Sequence, residues 1–116
     1  MMHVLVVDDD QDHAESIADI LLMQGHDVDV AHSGEEAIER FPGANFDLAL
    51  LDIKLPGMNG VDTFFAFRKA RPAAQVMLMT GFAPEQPISR AVEAGALGVL
   101  KKPFSVGNLL TVLQQV

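Results

Sequence analysis

Apolar residues fall along this chain in two alternating rhythms. The runs His3 to Val7, Leu48 to Leu51, Gln75 to Met79 and Leu97 to Leu100 are almost wholly apolar and stop abruptly at polar residues. Between them, apolar residues recur at helical spacing. They are Ala14, Ile17, Ala18, Leu21 and Leu22, then Ala37, Ile38 and Phe41, then Val61, Phe64 and Phe65 with Arg68. Later come Ile88, Ala91 and Val92 up to Gly95, and finally Val106, Leu109, Leu110 and Leu113. A run with no polar residue on either face is a strand covered on both sides, and the recurrences predict amphipathic helices packed over it. Asp27 to Ala31 (DVDVA) instead alternates strictly, which predicts a half-covered strand near the sheet margin.

Local punctuation agrees with that division. Asp12 with Glu15 forms an acidic capping box for the first helix, and Gly25 ends it. Ser33-Gly34-Glu35-Glu36 opens the second helix, which Pro42-Gly43 stops. Pro56, Gly57 and Asn59-Gly60 are turn residues ahead of the third helix, which ends before Pro72. Pro84 and Pro87 bracket a loop and favour a helix start. Strand and helix thus alternate five times with short links. Right-handed crossovers turn that order into an α/β fold, an open, doubly wound sheet of five parallel strands with helices on both faces.

Composition narrows the setting. A chain of 116 residues predicts one domain over residues 1–116, with no effector domain after it. No apolar run reaches membrane-spanning length, and the start Met1-Met2-His3 does not look like a signal peptide, so a cytoplasmic location is expected. The absence of cysteine excludes disulfides and thiolate metal sites. Sixteen acids against eight bases, a formal net charge of −8, argue against direct binding to nucleic acid or anionic lipid.

The candidate chemistry lies at the strand ends. The first strand ends in Asp8-Asp9, the third in Asp52, the fourth in Thr80 and the fifth in Lys102. A lone Asp after a strand is usually a turn or cap residue. Four such endings meet at one edge, the carboxyl edge where α/β sheets collect ligands. Two carboxylates about 4 Å apart repel by roughly 4 kcal/mol at an effective dielectric near 20, so the edge must protonate, hold a cation or recruit Lys102. Hard oxygen ligands without His or Cys select Mg²⁺, with Mn²⁺ also possible. Mg²⁺ keeps carboxylates, water and phosphate oxygens as ligands, so the natural guest is a phosphoryl group, and a carboxylate can accept it covalently. Thr80 is placed to hydrogen-bond a phosphoryl oxygen.

VLVVDDD, LLDIKLPGMNG, LMTG and KKPF occur here in the order and spacing of one family, and the chain resembles the receiver domain of two-component response regulators over essentially its whole length. The resemblance implies a flavodoxin-like (βα)5 fold with strand order 2-1-3-4-5. It implies that Asp52 is the phosphoacceptor, that Asp8 and Asp9 are the metal-binding pair, and that the Lys54 backbone carbonyl is a further Mg²⁺ ligand. By the same resemblance Thr80 is the switch hydroxyl, Lys102 is the phosphoryl-binding lysine and the Lys102–Pro103 bond is a cis candidate. The phosphodonor would be a partner sensor histidine kinase or phosphotransfer protein, and the only catalysis that of the chain's own phosphorylation and dephosphorylation. Adjacent strand residues face opposite ways, so Lys101 reads as a surface charge.

Departures from the family pattern change two expectations. Val99 stands three residues before the lysine, where many receivers carry an aromatic that swings inward, which leaves Thr80 and the loop after it to transmit activation. Lys54 and Phe82 flank the site two residues past Asp52 and Thr80, and predict a slowly hydrolysing phosphoform. Met58, Met77 and Met79 read as packing residues. Of Phe64, Phe65 and Phe67, two suffice for the core, and the third is a buried edge or an exposed patch. His3, His13, His26 and His32 show no ligand spacing and read as surface or capping residues.

Two other functions compete with the switch. Asp8-x-Asp10-x-Asp12 superficially resembles the signature of haloacid dehalogenase-type hydrolases, but Asp12 breaks it, no cap segment fits and Asp52 would be left idle. A degenerate receiver that only binds partners is the other, set against the full complement of Asp8, Asp9, Asp52, Thr80 and Lys102. A calcium loop starting at Asp8 fails because His13 stands where glycine is needed.

Overall fold

The computed structural model describes residues 1–40, 46–55, 57, 58, 60–70, 75–81 and 86–116, the side chains of 40 and 86–89 excepted. Expectations resting on Phe41, Pro42, Gly43, Pro56, Asn59, Pro72, Phe82 and Pro84, or on the side chains of Pro87 and Ile88, lie outside those residues.

Chain order is β1 (His3–Val7), α1 (Gln11–Met23), β2 (Asp27–Ala31), α2 (Gly34–Arg40), β3 (Leu48–Asp52), α3 (Gly60–Ala70), β4 (Gln75–Thr80), α4 (Gln86–Glu93), β5 (Gly98–Lys101) and α5 (Val106–Gln114). The strands form one parallel sheet in the order β2-β1-β3-β4-β5, as the alternation and the resemblance imply. β3 is buried along its whole length, whereas β2 at the margin is buried only at Ala31. Alternation sorts the core into two layers. Leu5, Val7, Ala49, Leu51 and Leu78 face Ala37 of α2, Val61, Phe64 and Phe67 of α3 and Ala91 of α4. Val4, Val6, Leu48, Leu50 and Met79 face Ala14, Ile17 and Leu21 of α1 and Leu109 and Val112 of α5.

The helical stripes are narrower than the sequence suggests. Leu22 is 54% exposed and Val92 42%, because each lies a step round the helix from Leu21 and Ala91, which meet the sheet, and Val106, the first residue of α5, is 50% exposed. Phe64 and Phe67 fill the core, and Phe65 is a half-buried edge with the Arg90 guanidinium 5.5 Å from its ring centre. Met77 and Met79 are core residues.

Helix ends set the loops that carry function. The N-cap of α1 is Asp10, not Asp12, because the Asp10 carboxylate reaches back to accept the His13 amide at 3.1 Å. At its other end Gly25, with φ 88°, closes a Schellman turn in which His26 donates to the Leu21 carbonyl and Gly25 to that of Leu22. Ser33 caps α2 by accepting the Glu36 amide at 3.0 Å, while the Glu36 carboxylate reaches one residue beyond, to the His32 amide at 2.8 Å. Between β3 and α3 the chain turns so tightly that a Cβ on Gly60 would collide with the Asp52 carbonyl oxygen and Ile53 Cα. The Gly60 amide instead donates to the Ile53 carbonyl at 2.8 Å. Among the described residues no helix is long and apolar enough to cross a membrane.

Candidate functional site

The parallel ladder decides which strand ends meet. β1 and β3 are neighbours at the sheet centre with Val7 opposite Leu51, so Asp8 and Asp52 leave the sheet side by side. Across β3 and β4, Asp52 pairs with Met79, which sets Thr80 one residue further out on the next strand. Thr80 pairs in turn with Lys101, and the Lys102 amide donates to the Thr80 carbonyl at 2.7 Å. Residues 44 positions apart along the chain (Asp8 and Asp52), and Lys102 50 beyond Asp52, are thereby brought to one pocket by hydrogen-bond register alone.

Among the described residues the pocket gathers three acids and the Lys102 ammonium. Ligand oxygens of Asp8, Asp9 and Asp52 all lie within 4.8 Å of one another. Asp8 has no exposed surface, Asp52 and Thr80 are buried, and Asp9 is exposed at the rim. The Lys102 ammonium bridges the two buried carboxylates, 2.7 Å from Asp52 Oδ2 and 3.1 Å from Asp8 Oδ2. Lys101 points away and is exposed. The Lys102–Pro103 peptide is cis. The amide of Lys54 donates to Asp52 Oδ1 at 3.0 Å and fixes the second carboxylate oxygen.

Environment separates the two buried acids. Burial pushes the Asp52 carboxyl above its usual range, and the repulsion of Asp8 adds to this, while Lys102 and the Lys54 amide offset only part of it. Burial acts the same way on Asp8, but hydrogen bonds from His13, the Asp10 amide and Lys102 outweigh it and hold Asp8 below the usual range. Burial works against a charged Lys102, yet its bonds to Asp52 and Asp8 prevail and raise it above the ordinary lysine value.

An oxygen-only donor set with two buried carboxylates and a third at the mouth fits a hard divalent cation. The position of Lys102 supports the same fit, since an ammonium already sits where the acids need positive charge. Of Asp8, Asp10 and Asp12, only Asp8 joins the converging group among the described residues. Asp10 is occupied as a helix cap, and Asp12 is exposed in the first turn of α1.

Sequence reasoning missed two kinds of contributor, the histidines His13 and His32 against Asp8 and the acid Glu35. His13 is not a free surface residue: its Nδ1 lies 2.5 Å from Asp8 Oδ2, and its ring meets the edge of Phe104 at 5.6 Å. His32 likewise reaches the Asp8 backbone carbonyl through Nδ1 at 3.2 Å. The signal for His13 is its place on the third residue of a helix that follows the acids, where a side chain leans back over the N-terminal turn. Glu35 is the second contributor. It accepts the Met58 amide at 3.2 Å and so ties α2 to the loop that carries Lys54.

Comparison with known proteins places this arrangement. Residues 4–114 match the family description "response regulator receiver domain". A response regulator receiver protein of Anaeromyxobacter is 34% identical over 110 residues, covering 95% of this chain and 46% of that protein. A CheY-like receiver domain from Methanospirillum hungatei superposes with a TM-score of 0.93 at 31% identity, covering 99% of this chain and 92% of that one. A response regulator from Burkholderia pseudomallei, solved with a phosphorylated aspartic acid, a calcium ion and citrate, gives a TM-score of 0.89 at 29% identity, covering 98% of this chain and 67% of that one. The chain spans less than half the length of the curated relatives it matches.

Proposed function

The chain belongs to the response regulator receiver domain family of two-component systems, and from this membership and its pocket we propose that it is a phosphorylation-controlled switch with Asp52 as phosphoacceptor. One observation carries the reading. Lys102 bridges Asp52 and Asp8 beside Asp9, at the carboxyl end of the central strands. The Burkholderia neighbour, with both a phosphorylated aspartic acid and a calcium ion, is a precedent on this fold.

In the proposed transfer an Asp52 carboxylate oxygen forms a bond to phosphorus as the bond from phosphorus to the partner's histidine nitrogen breaks. The nitrogen leaves with the electron pair, and the product is an aspartyl phosphate on Asp52. Asp8, Asp9, Asp52 and the Lys54 carbonyl are the proposed ligands for Mg²⁺, which when bound offsets the negative charge of the phosphoryl oxygens. Lys102 moves its ammonium from the carboxylates to a phosphoryl oxygen, and the Thr80 hydroxyl donates to another. Val99 is half-buried against the α2–α4 side of the core, so the relay through an inward-swinging aromatic is replaced by Thr80 itself. The donor is the histidine of a sensor kinase or phosphotransfer protein, and the domain read here is 1–116.

Mass spectrometry after incubation with a small acyl phosphate and Mg²⁺ tests the assignment. Wild type gains one phosphoryl mass and Asp52→Asn gains none. Equal labelling of the two proteins overturns it.

A further inference from the structure

We infer that His13 is a positioning residue of the cation site, acting through Asp8 rather than on the cation. The inference rests on the switch reading above, because it concerns the acids proposed there to hold Mg²⁺. Asp8 receives a donor at each oxygen: the Asp10 amide at Oδ1, 3.0 Å, and both Lys102 and His13 at Oδ2, 3.1 and 2.5 Å. Both Asp8 oxygens already accept, from the Asp10 amide and the Lys102 ammonium, so the His13 Nδ1 is assigned the proton and donates.

Two of the three donors to Asp8 are fixed and one is committed elsewhere. Lys102 also serves Asp52, and in the proposed transfer it leaves for the phosphoryl group. Among the described residues, Asp8 is then oriented by the Asp10 amide and His13. Without His13 the carboxylate keeps one anchored oxygen and can rotate about it, and Asp8, which has no exposed surface while His13 covers it, loses the donor that fixes its second oxygen. His13 is itself held. Its backbone amide donates to the Asp10 cap at 3.1 Å, and its ring abuts Phe104 at an interplanar angle of 69°. This is the geometry by which a buried donor keeps a ligand carboxylate aimed before the cation arrives.

Asn and Gln separate the donor from the ring. The amide nitrogen of Asn stands the same number of bonds from Cα as Nδ1 of His, whereas that of Gln stands one bond further. Isothermal titration with Mg²⁺ on wild type, His13→Ala, His13→Asn and His13→Gln therefore reads the role directly. The expected result is a Kd weakened about tenfold in His13→Ala and His13→Gln, and restored to within about threefold of wild type in His13→Asn. Thermal unfolding in chelator serves as the control, since loss of folding stability alone does not order Asn above Gln. A His13→Ala protein that binds Mg²⁺ within about twofold of wild type overturns the inference, as does a His13→Asn protein as weak as His13→Gln. A wild-type chain that binds no Mg²⁺ overturns the switch reading itself.

Discussion

Replacing Lys102 with Met keeps the length of the side chain and removes its charge, which isolates what the ammonium does between two buried acids. At an effective dielectric near 20 its attraction is about 6 kcal/mol for Asp52 at 2.7 Å and about 5 kcal/mol for Asp8 at 3.1 Å. The acids repel each other by at least about 3.5 kcal/mol across no more than 4.8 Å. Most of the gross attraction is offset, because an ammonium left in water regains several kcal/mol of hydration. Part of the rest is recovered when Asp52, already raised by burial, takes up a proton. Removing one partner of a buried ion pair costs about 3–5 kcal/mol, and proton uptake places this case at the lower end. In chelator at pH 7 Lys102→Met is therefore less stable than wild type by about 3 kcal/mol, a fall in Tm of roughly 10–15 °C. The gap narrows as Mg²⁺ is added, since the uncovered acids bind a cation more tightly, and stabilisation by a ligand at 100 times its Kd is about 2.7 kcal/mol. It narrows also at acid pH, where the acids neutralise themselves. Thermal scans in chelator, in Mg²⁺ and at two pH values check all three statements. A variant as stable as wild type in chelator at pH 7, or a gap indifferent to both Mg²⁺ and acid, refutes the reasoning.

Gly60→Ala drives a methyl into the Asp52 carbonyl and Ile53 Cα, backbone atoms that cannot swing aside, and should cost roughly 1–3 kcal/mol in urea unfolding while weakening Mg²⁺ binding. Unchanged values in both would show that the turn opens freely. Stability against pH has a sign for each pocket group in the metal-free chain. Asp8, held low, contributes stability that is present above 3.8 and lost as pH falls through its folded value. Lys102, held high, contributes stability present below 10.5 and lost as pH rises through its folded value. Asp52 is raised, so the wild-type fold loses stability as pH rises from 3.8 through its folded value, and Asp52→Asn escapes that loss. The advantage of Asp52→Asn over wild type in chelator should therefore grow between acid and neutral pH, and a constant difference in denaturant unfolding contradicts it.

The elements that the sequence made legible are those written in local rhythm. Leu48 to Leu51 announces a central strand because four apolar residues in a row satisfy both faces at once, and Asp52 announces its end. The five pocket residues were legible for a different reason. Each ends a strand or stands one or two residues beyond it, and parallel register does the rest. What stayed hidden depends on direction about a helix axis. Leu22 and Leu21 have the same hydrophobicity, yet only Leu21 faces the sheet, and nothing local distinguishes them. Asp10 and Asp12 can both cap, and the choice follows from where β1 delivers the chain. His13 was opaque for a related reason: its partner Asp8 lies just past the end of β1, outside any metal-ligand spacing.

In this structure the Lys102 ammonium is the positive charge set between the buried Asp8 and Asp52, and it offsets their repulsion. A cation and a phosphoryl group, in the reading proposed, each take over one part of that duty, and Lys102 becomes free to follow the phosphoryl group. Its backbone is tied to Thr80 through the amide-to-carbonyl bond at 2.7 Å, and three residues further Ser105 caps α5. In the reading proposed, a change at Asp52 would reach β4, β5 and the start of α5 through that side chain and that hydrogen bond.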